Sequence, residues 1–341
     1  MSLWDEIHEQ PDTVRRMLDS NRSVAGEVAA LIGAADTASV VIAARGTSDN
    51  AARYAQYVWG SRHRLQVALA TPSLYTLYQR PPRLDRAIVI GISQSGESPD
   101  LVAVLREARC QRRPTVAITN HPDSPLAMVA DLCFELESGE ERATAATKTY
   151  TSQLAAVALI AAAMGGDYAG LSRVADDVAR VLASGEQIAH AASRFSDDAS
   201  AAVIGRGFNL STAFEWALKL QELVGICAMP FSTADFLHGP VALVADGLPV
   251  LAVAPSGAPL RGVHELLEHL RRDYGAKLAV ISDDAQTLAL AGAAIPIAPI
   301  SEWLSPIPAV VAAQLFTYYL TGFKGRDPDS PQGITKVTRT T

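Results

Sequence analysis

Ser93-Gln94-Ser95-Gly96-Glu97-Ser98 gathers three hydroxyls and a side-chain amide within six residues. The β-branched run Ile88–Ile92 precedes it, and Pro99-Asp100-Leu-Val-Ala-Val-Leu follows with a helical pattern. A strand, a polar turn and a helix N-terminus suit an anion. The first backbone N–H groups of a helix lack internal partners, and the helix dipole favours negative charge there. The turn has no lysine, which excludes the GxxxxGK[ST] loop of nucleoside-triphosphate enzymes. Two readings stay open on these residues: a cradle for a small phosphate ester, or a serine-capped strand-to-helix turn.

Glu215, Lys219 and Glu222 are spaced i, i+4 and i+7, so a helix carries them on one face. That face is either a solvated charged stripe or an acid/base surface turned into a cleft. In the second case a carboxylate and an ammonium held together move protons between adjacent carbons. His238 precedes Gly239-Pro240 and so lies in a turn. Its imidazole is either incidental or a proton carrier near neutral pH. The other six histidines (His8, His63, His121, His190, His264, His269) have no comparable setting. Lys336 lies in a polar tail, as an unpacked end or as an amine that closes over a sugar and engages a carbonyl. His, Cys, Asp and Glu show no metal-ligand spacing, and neither a metal nor a cofactor is expected.

These residues need elements to hold them. Residues 5–35 read as helical with a break near Pro11, and Val14, Met17, Leu18, Val24, Val28 and Leu31 form one face. Ser39–Ala44 is a strand that enters the turn Arg45-Gly46-Thr47-Ser48-Asp49-Asn50, with a helix from Ala51 to Trp59. Further strands are expected at Val67–Ala70, Thr115–Thr119 and Leu132–Leu136, and a helix starts at Thr71-Pro72-Ser73. The hydroxyl-rich stretch Glu141–Gln153 leads into an apolar helix ending at Met164. In the second half, Ala202–Ile204, Pro249–Ala254 and Leu278–Ser282 read as strands, and Pro308–Thr321 as a helix. Strands alternating with helices argue for parallel α/β sheets, whose ligands sit at the carboxyl ends of the strands.

The two halves repeat. A shift of 161 positions carries Arg45-Gly46 onto Arg206-Gly207, and Ser95-Gly96 onto Ser256-Gly257. A shift of 163 carries Thr119 onto Ser282. The expected fold is thus two tandem doubly wound, flavodoxin-like parallel-sheet domains related by internal duplication, plus a C-terminal tail. Pro255, Ala258 and Pro259 cannot supply those hydroxyls in the second copy, so only the first copy is expected to hold phosphate.

With 341 residues, 49% hydrophobic and 19% charged, the chain has a core for two domains. A net charge of −7 without a basic block argues against nucleic acid. The longest apolar run, Leu154–Met164, is too short to cross a bilayer, so no membrane role is expected. The start Met-Ser-Leu-Trp-Asp-Glu lacks the marks of a signal peptide. Cys110, Cys133 and Cys227 have no close spacing, which fits buried free thiols and a cytoplasmic location.

Ser93-Gln-Ser-Gly-Glu-Ser98, Arg45-Gly-Thr-Ser48, Ala217-Leu-Lys-Leu-Gln-Glu222, His238-Gly-Pro240 and the Lys336 tail follow the order found in double sugar-isomerase (SIS) domain proteins. The chain resembles the isomerase half of glutamine–fructose-6-phosphate aminotransferase over nearly its whole length, down to Glu6-Ile-His-Glu-Gln-Pro11. The resemblance implies that Ser48, Ser93, Gln94, Ser95 and Ser98 hold a sugar phosphate. It implies that Gly46, Thr47, Thr144, Ala145 and Ala146 line the sugar. Glu222 would move the proton between C1 and C2 with help from Lys219, and His238 would open the ring, reaching the site from a neighbouring subunit of a homodimer. Lys336 would meet the open-chain carbonyl.

The chain departs from the family in three places. Ala146 stands where a serine is common, Arg45 precedes the Gly-Thr-Ser, and no glutaminase domain with an N-terminal cysteine is expected. The tail Asp327-Pro-Asp…Gly333-Ile-Thr-Lys336-Val-Thr338 also resembles stand-alone isomerising deaminases acting on glucosamine-6-phosphate or a related amino-sugar phosphate. The expected layout is a helical segment at 1–24, SIS domains at 25–168 and 197–325, a helical linker at 169–196, and a tail at 326–341 closing on the active site. The expected activity is conversion of an amino-sugar 6-phosphate to a ketose 6-phosphate and ammonia. The alternatives are another phosphosugar aldose–ketose isomerase, a fructosamine-6-phosphate deglycase, or a sugar-phosphate sensor without catalysis.

Overall fold

The structure, a computed structural model, describes residues 2–34 and 36–336. Ala35, at the expected end of the first helical stretch, and Val337–Thr341 of the tail lie outside the described residues. Among the described residues, ten strands form two five-stranded sheets. β1 (Ser39–Ala43), β2 (Gln66–Leu69), β3 (Ala87–Ser93), β4 (Thr115–Thr119) and β5 (Leu132–Glu135) make the first, ordered β2-β1-β3-β4-β5. β6 (Ser200–Ile204), β7 (Cys227–Phe231), β8 (Val250–Val253), β9 (Leu278–Ser282) and β10 (Ala293–Pro296) make the second, ordered β10-β9-β8-β6-β7. Read from its own first strand, each sheet has the flavodoxin order 2-1-3-4-5. All pairings are parallel.

Strand register carries the duplication. Ser39 pairs with Gln66 and Val41 with Val89; Ser200 pairs with Cys227 and Ala202 with Val250. Every residue in the second pair of contacts lies 161 positions after its counterpart. Val89 pairs with Thr115 and Val250 with Leu278, so the shift becomes 163 at the next strand. Central strands are buried on both faces, as parallel sheets require: every residue of β3, β4, β8 and β9 is buried.

The helices that cover the sheets follow from their apolar spacing. Helix Leu260–Tyr274 buries Val263, Leu266, Leu267 and Leu270, an i, i+3, i+4, i+7 stripe, against Val250, Ala252 and Val280. In the first sheet, Leu101, Val104 and Leu105 of helix Pro99–Cys110 join Ala43, Val89 and Ala117. Helix Lys148–Gly165 is buried from Lys148 through Ala162, and from Leu154 onward its sequence is apolar all round.

Several boundaries differ from the sequence reading. The break expected near Pro11 falls at Glu9, and Pro11 sits in the first turn of Gln10–Ser20, where a missing N–H costs nothing. A second break falls at Asn21. The helix after Arg45 starts at Thr47, not Ala51, and runs to His63. The expected linker is two helices, Val174–Ala183 and Gly185–Ser193. Strands β7 and β10 were not anticipated. Cys110 and Cys227 are exposed rather than buried, and all three cysteines are free.

The chain forms two compact units. One holds the first sheet and comprises Asp12–Glu141, Lys148–Ser172 and the tail from Thr335; the other holds the second sheet and comprises Met1–Pro11, Arg142–Thr147 and Arg173–Ile334.

Candidate functional site

In the first-sheet unit, β1 and β3 are neighbours whose connections leave in opposite directions along the sheet, the switch point where doubly wound folds open a crevice. Both carboxyl ends there carry expected phosphate residues. β3 ends at Ser93, and the following turn is fastened to the next strand. Thr119 Oγ1 and the Asn120 N–H donate to the Gln94 carbonyl (3.2 and 3.1 Å), and the Leu126 N–H donates to that of Gly96 (3.0 Å). Gly96 has φ +63°, and a Cβ there would lie 2.1 Å from Ser124 Oγ, so only glycine fits.

The serines divide their work. Ser93 Oγ accepts the Gly96 N–H (3.1 Å) and Ser95 Oγ accepts the Glu97 N–H (3.3 Å). Ser98 stands at the N-cap of helix Pro99–Cys110, yet its side chain makes no capping bond. The capped-turn reading therefore holds for Ser93 and Ser95 and fails for Ser98. A serine oxygen that accepts a hydrogen bond still has its proton to give, and phosphate oxygens only accept.

β1 ends at Ala43, and Gly46 (φ +53°) swings the chain into helix Thr47–His63. Ser48 lies in its first turn, 8% exposed, and its Oγ accepts from Gln153 Nε2 at 3.0 Å. Arg45 ties the two turns together. Its Nε donates to Asp100 at 2.8 Å, and Asp100 is buried while the arginine side chain is half exposed. The structure thus brings Arg45, Gly46, Thr47, Ser48 and Ser93–Ser98 to the carboxyl ends of two adjacent strands. In the same unit Lys336 Nζ lies 2.7 Å from the buried carboxylate of Glu141. The tail lysine is packed, against the reading of an unpacked end.

The second-sheet unit carries the acid/base residues. Helix Leu210–Lys219 continues as a π-helical turn, Leu220–Val224, which the left-handed Gly225 closes by donating its N–H to the Leu220 carbonyl. Such π turns are rare and concentrate at functional sites. Glu222 lies within it, so the regular i+7 spacing from Glu215 does not hold. Lys219 nevertheless meets both carboxylates: its Nζ forms a short ion pair with Glu222 and lies 3.4 Å from Glu215. Lys219 and Glu215 are buried and Glu222 is partly open, so the solvated-stripe reading fails. Burial alone pulls the Lys219 pKa down, but the carboxylates of Glu215 and Glu222 outweigh it and hold the ammonium above the ordinary lysine range.

His238 caps the C-terminus of the short helix Thr233–Leu237 and is exposed. Thr144, Ala145 and Ala146 lie in the segment Arg142–Thr147 of this unit. Glu6, fully buried, accepts the backbone N–H groups of Arg142 and Ala143 and so fixes the start of that segment. Gln314 donates to the Thr147 carbonyl at its end (3.4 Å) and accepts from Gln10 (2.8 Å). Sequence reasoning missed the roles of Glu6, Glu141 and Asp100. The only signal was an acidic residue inside or beside each conspicuous motif. Among the described residues, no group of three or more His, Cys, Asp or Glu is placed to hold a metal ion. Among them, no helix is long and apolar enough to cross a membrane.

The fold is a doubled flavodoxin-like sheet, with a serine-rich turn in one unit and a Glu-Lys-Glu cluster in the other. The profile described as SIS domain matches residues 35–163 and again 194–322. The chain belongs to the SIS domain family. It is 31% identical to a glutamine–fructose-6-phosphate aminotransferase of Thermococcus kodakarensis, over 98% of this chain and 57% of that one. It is 34% identical to the Halobacterium salinarum protein of the same name, over 98% of this chain and 58% of that one. The chain thus spans little more than half the length of these relatives. Among solved structures, the C-terminal domain of glucosamine-fructose-6-phosphate aminotransferase from Francisella tularensis superposes with a TM-score of 0.86 at 27% identity, covering 96% of each chain.

Proposed function

We propose that the protein is an isomerising deaminase of an amino-sugar 6-phosphate, with glucosamine-6-phosphate the first choice of substrate. The observation that carries the reading is the buried Lys219 held between Glu215 and Glu222, with Glu222 partly open on a π turn. The SIS family membership and the relatives that act on fructose-6-phosphate support the substrate class.

Ser48, Ser93, Gln94, Ser95 and Ser98 hold the phosphate, and Gly46, Thr47, Thr144, Ala145 and Ala146 line the sugar. His238 opens the ring, and a second copy of the chain supplies it; its exposure on this chain supports that role. The open chain is a 2-amino aldehyde whose C2–H is acidified by the C1 carbonyl. Lys336 donates to that carbonyl oxygen. Glu222 takes the C2 proton as O1 gains one from solvent, giving an enolamine, and then returns the proton to C1 as the amine nitrogen gives one up to solvent. Lys219 keeps the Glu222 carboxylate charged, and so able to take the proton, before the first transfer. The product is a ketose imine, which water hydrolyses to the ketose 6-phosphate and ammonia.

The test is ammonia release from glucosamine-6-phosphate, run beside galactosamine-6-phosphate and fructosamine-6-phosphate. Glu222→Gln is expected to lower kcat by at least about 100-fold, the usual contribution of a positioned proton carrier. No ammonia from any of the three substrates with wild-type protein would overturn the proposal.

A further inference from the structure

We propose that Glu141 is the positioning residue for Lys336, an assignment that rests on the deaminase reading for its catalytic consequence but not for its geometry. The Glu141 side chain is wholly inaccessible, and Lys336 Nζ meets it at 2.7 Å. The carboxylate is anchored from behind. It accepts the Thr149 N–H at 3.1 Å and the Thr149 hydroxyl at 2.8 Å. Thr149 opens the helix Lys148–Gly165, whose N-terminus favours a negative charge and whose buried length makes it rigid.

A buried carboxylate without a cation is costly, so the pair holds the lysine as much as the lysine holds the tail. The Lys336 side chain remains 24% exposed. An ammonium has three donors, and one directed at Glu141 leaves donors for a carbonyl oxygen. The geometry therefore gives Lys336 the part of a fixed, charged hydrogen-bond donor and gives Glu141 the part of the post that aims it.

The test uses the full chain and three variants. Glu141→Gln removes the charge and keeps the shape, Glu141→Asp keeps the charge, and Thr149→Val removes only the anchoring hydroxyl. The first readout needs no turnover: the intact protein is acetylated with an amine-reactive reagent, and Lys336 is followed by mass spectrometry. Glu141→Gln is expected to raise the Lys336 acetylation rate about tenfold, the size of a charge-assisted hydrogen bond, with Glu141→Asp and Thr149→Val in between. An unchanged rate in Glu141→Gln overturns the proposal.

The second readout is a double-mutant cycle on ammonia release. Glu141→Gln is expected to lower kcat about tenfold with KM unchanged, and Glu141→Gln combined with Lys336→Ala to be no slower than Lys336→Ala alone. Additive losses would mean that Glu141 acts independently of Lys336, and would overturn it too. A wild-type protein inactive on every amino-sugar phosphate would defeat the deaminase reading, while acetylation would still decide the pairing.

Discussion

The turns after β3 and after β8 are copies of each other, and they meet negative charge in opposite ways. In the first, Ser93 and Ser95 close the turn with neutral hydroxyls, and Ser98 leaves the head of its helix without a side-chain cap. In the second, the protein supplies its own anions. The Ser256 N–H donates to Asp283 at 2.6 Å, and the Ala258 N–H donates to Glu302 at 2.9 Å. Gly257 allows this, since a Cβ there would lie 2.3 Å from the Glu302 carboxyl carbon. The space left beside Arg206, Pro255, Pro259 and Glu302 is about 10 Å³, room for one water at most. A phosphate placed there would face two carboxylates. The duplication kept the backbone device in both sheets and set the protein's own carboxylates on the second copy.

The paired arginines diverge in the same sense. Arg45 is drawn onto the helix turn after Ser98 by Asp100. Position 261, the counterpart of Asp100 by the same shift, is an arginine, and Arg206 donates instead to Thr233 Oγ1 at 2.9 Å.

The largest test of this contrast is glycine replacement at both turns. Gly96→Ala is expected to cut kcat/KM about 100-fold and lower Tm, because φ +63° and the contact with Ser124 force the turn to move. Gly257→Ala is expected to lower Tm while kcat/KM stays within about twofold, since its strain falls on a turn that binds nothing. Steady-state kinetics and calorimetry on both proteins check this; equal kinetic losses would break the comparison. Next in size, Ser93→Ala with Ser95→Ala should raise KM for the sugar phosphate about 30-fold, and Ser256→Ala should leave it unchanged.

Arg45→Ala should raise KM about fivefold, less so at high salt because the guanidinium is half exposed, with no change for Arg206→Ala. A salt series of KM values reads this out. The smallest effect is expected from Glu302→Gln, which weakens one charge-assisted bond: a Tm drop of about 3 °C by scanning calorimetry, with KM unaltered. A rise in KM there would show that the second turn communicates with catalysis.

The parts legible in the sequence were those with local causes. The serine turn, the repeat at 161 positions and the central strands β3, β4 and β9 follow from short-range pattern. So does the spacing that joins Lys219 to its two carboxylates. The helix start at Thr47 was misplaced because Thr, Ser, Asp and Asn favour turns in isolation, whereas here they form the first helical turn. Strand β7 hid behind Pro230, which a ladder tolerates because β7 is an edge strand. The π turn under Glu222 and the carboxylates of Glu6, Glu141 and Glu302 were invisible. Each is defined by partners distant in sequence: Glu6 by Arg142, Glu141 by Lys336, Glu302 by Ala258.

The central claim is that one turn, and not its copy, holds the phosphate. Equilibrium dialysis of the full chain with radiolabelled inorganic phosphate tests it most directly. One phosphate per chain is predicted, lost in the Ser93→Ala, Ser95→Ala protein and retained in Ser256→Ala. Two phosphates per chain, or one that survives loss of both serines, would contradict it.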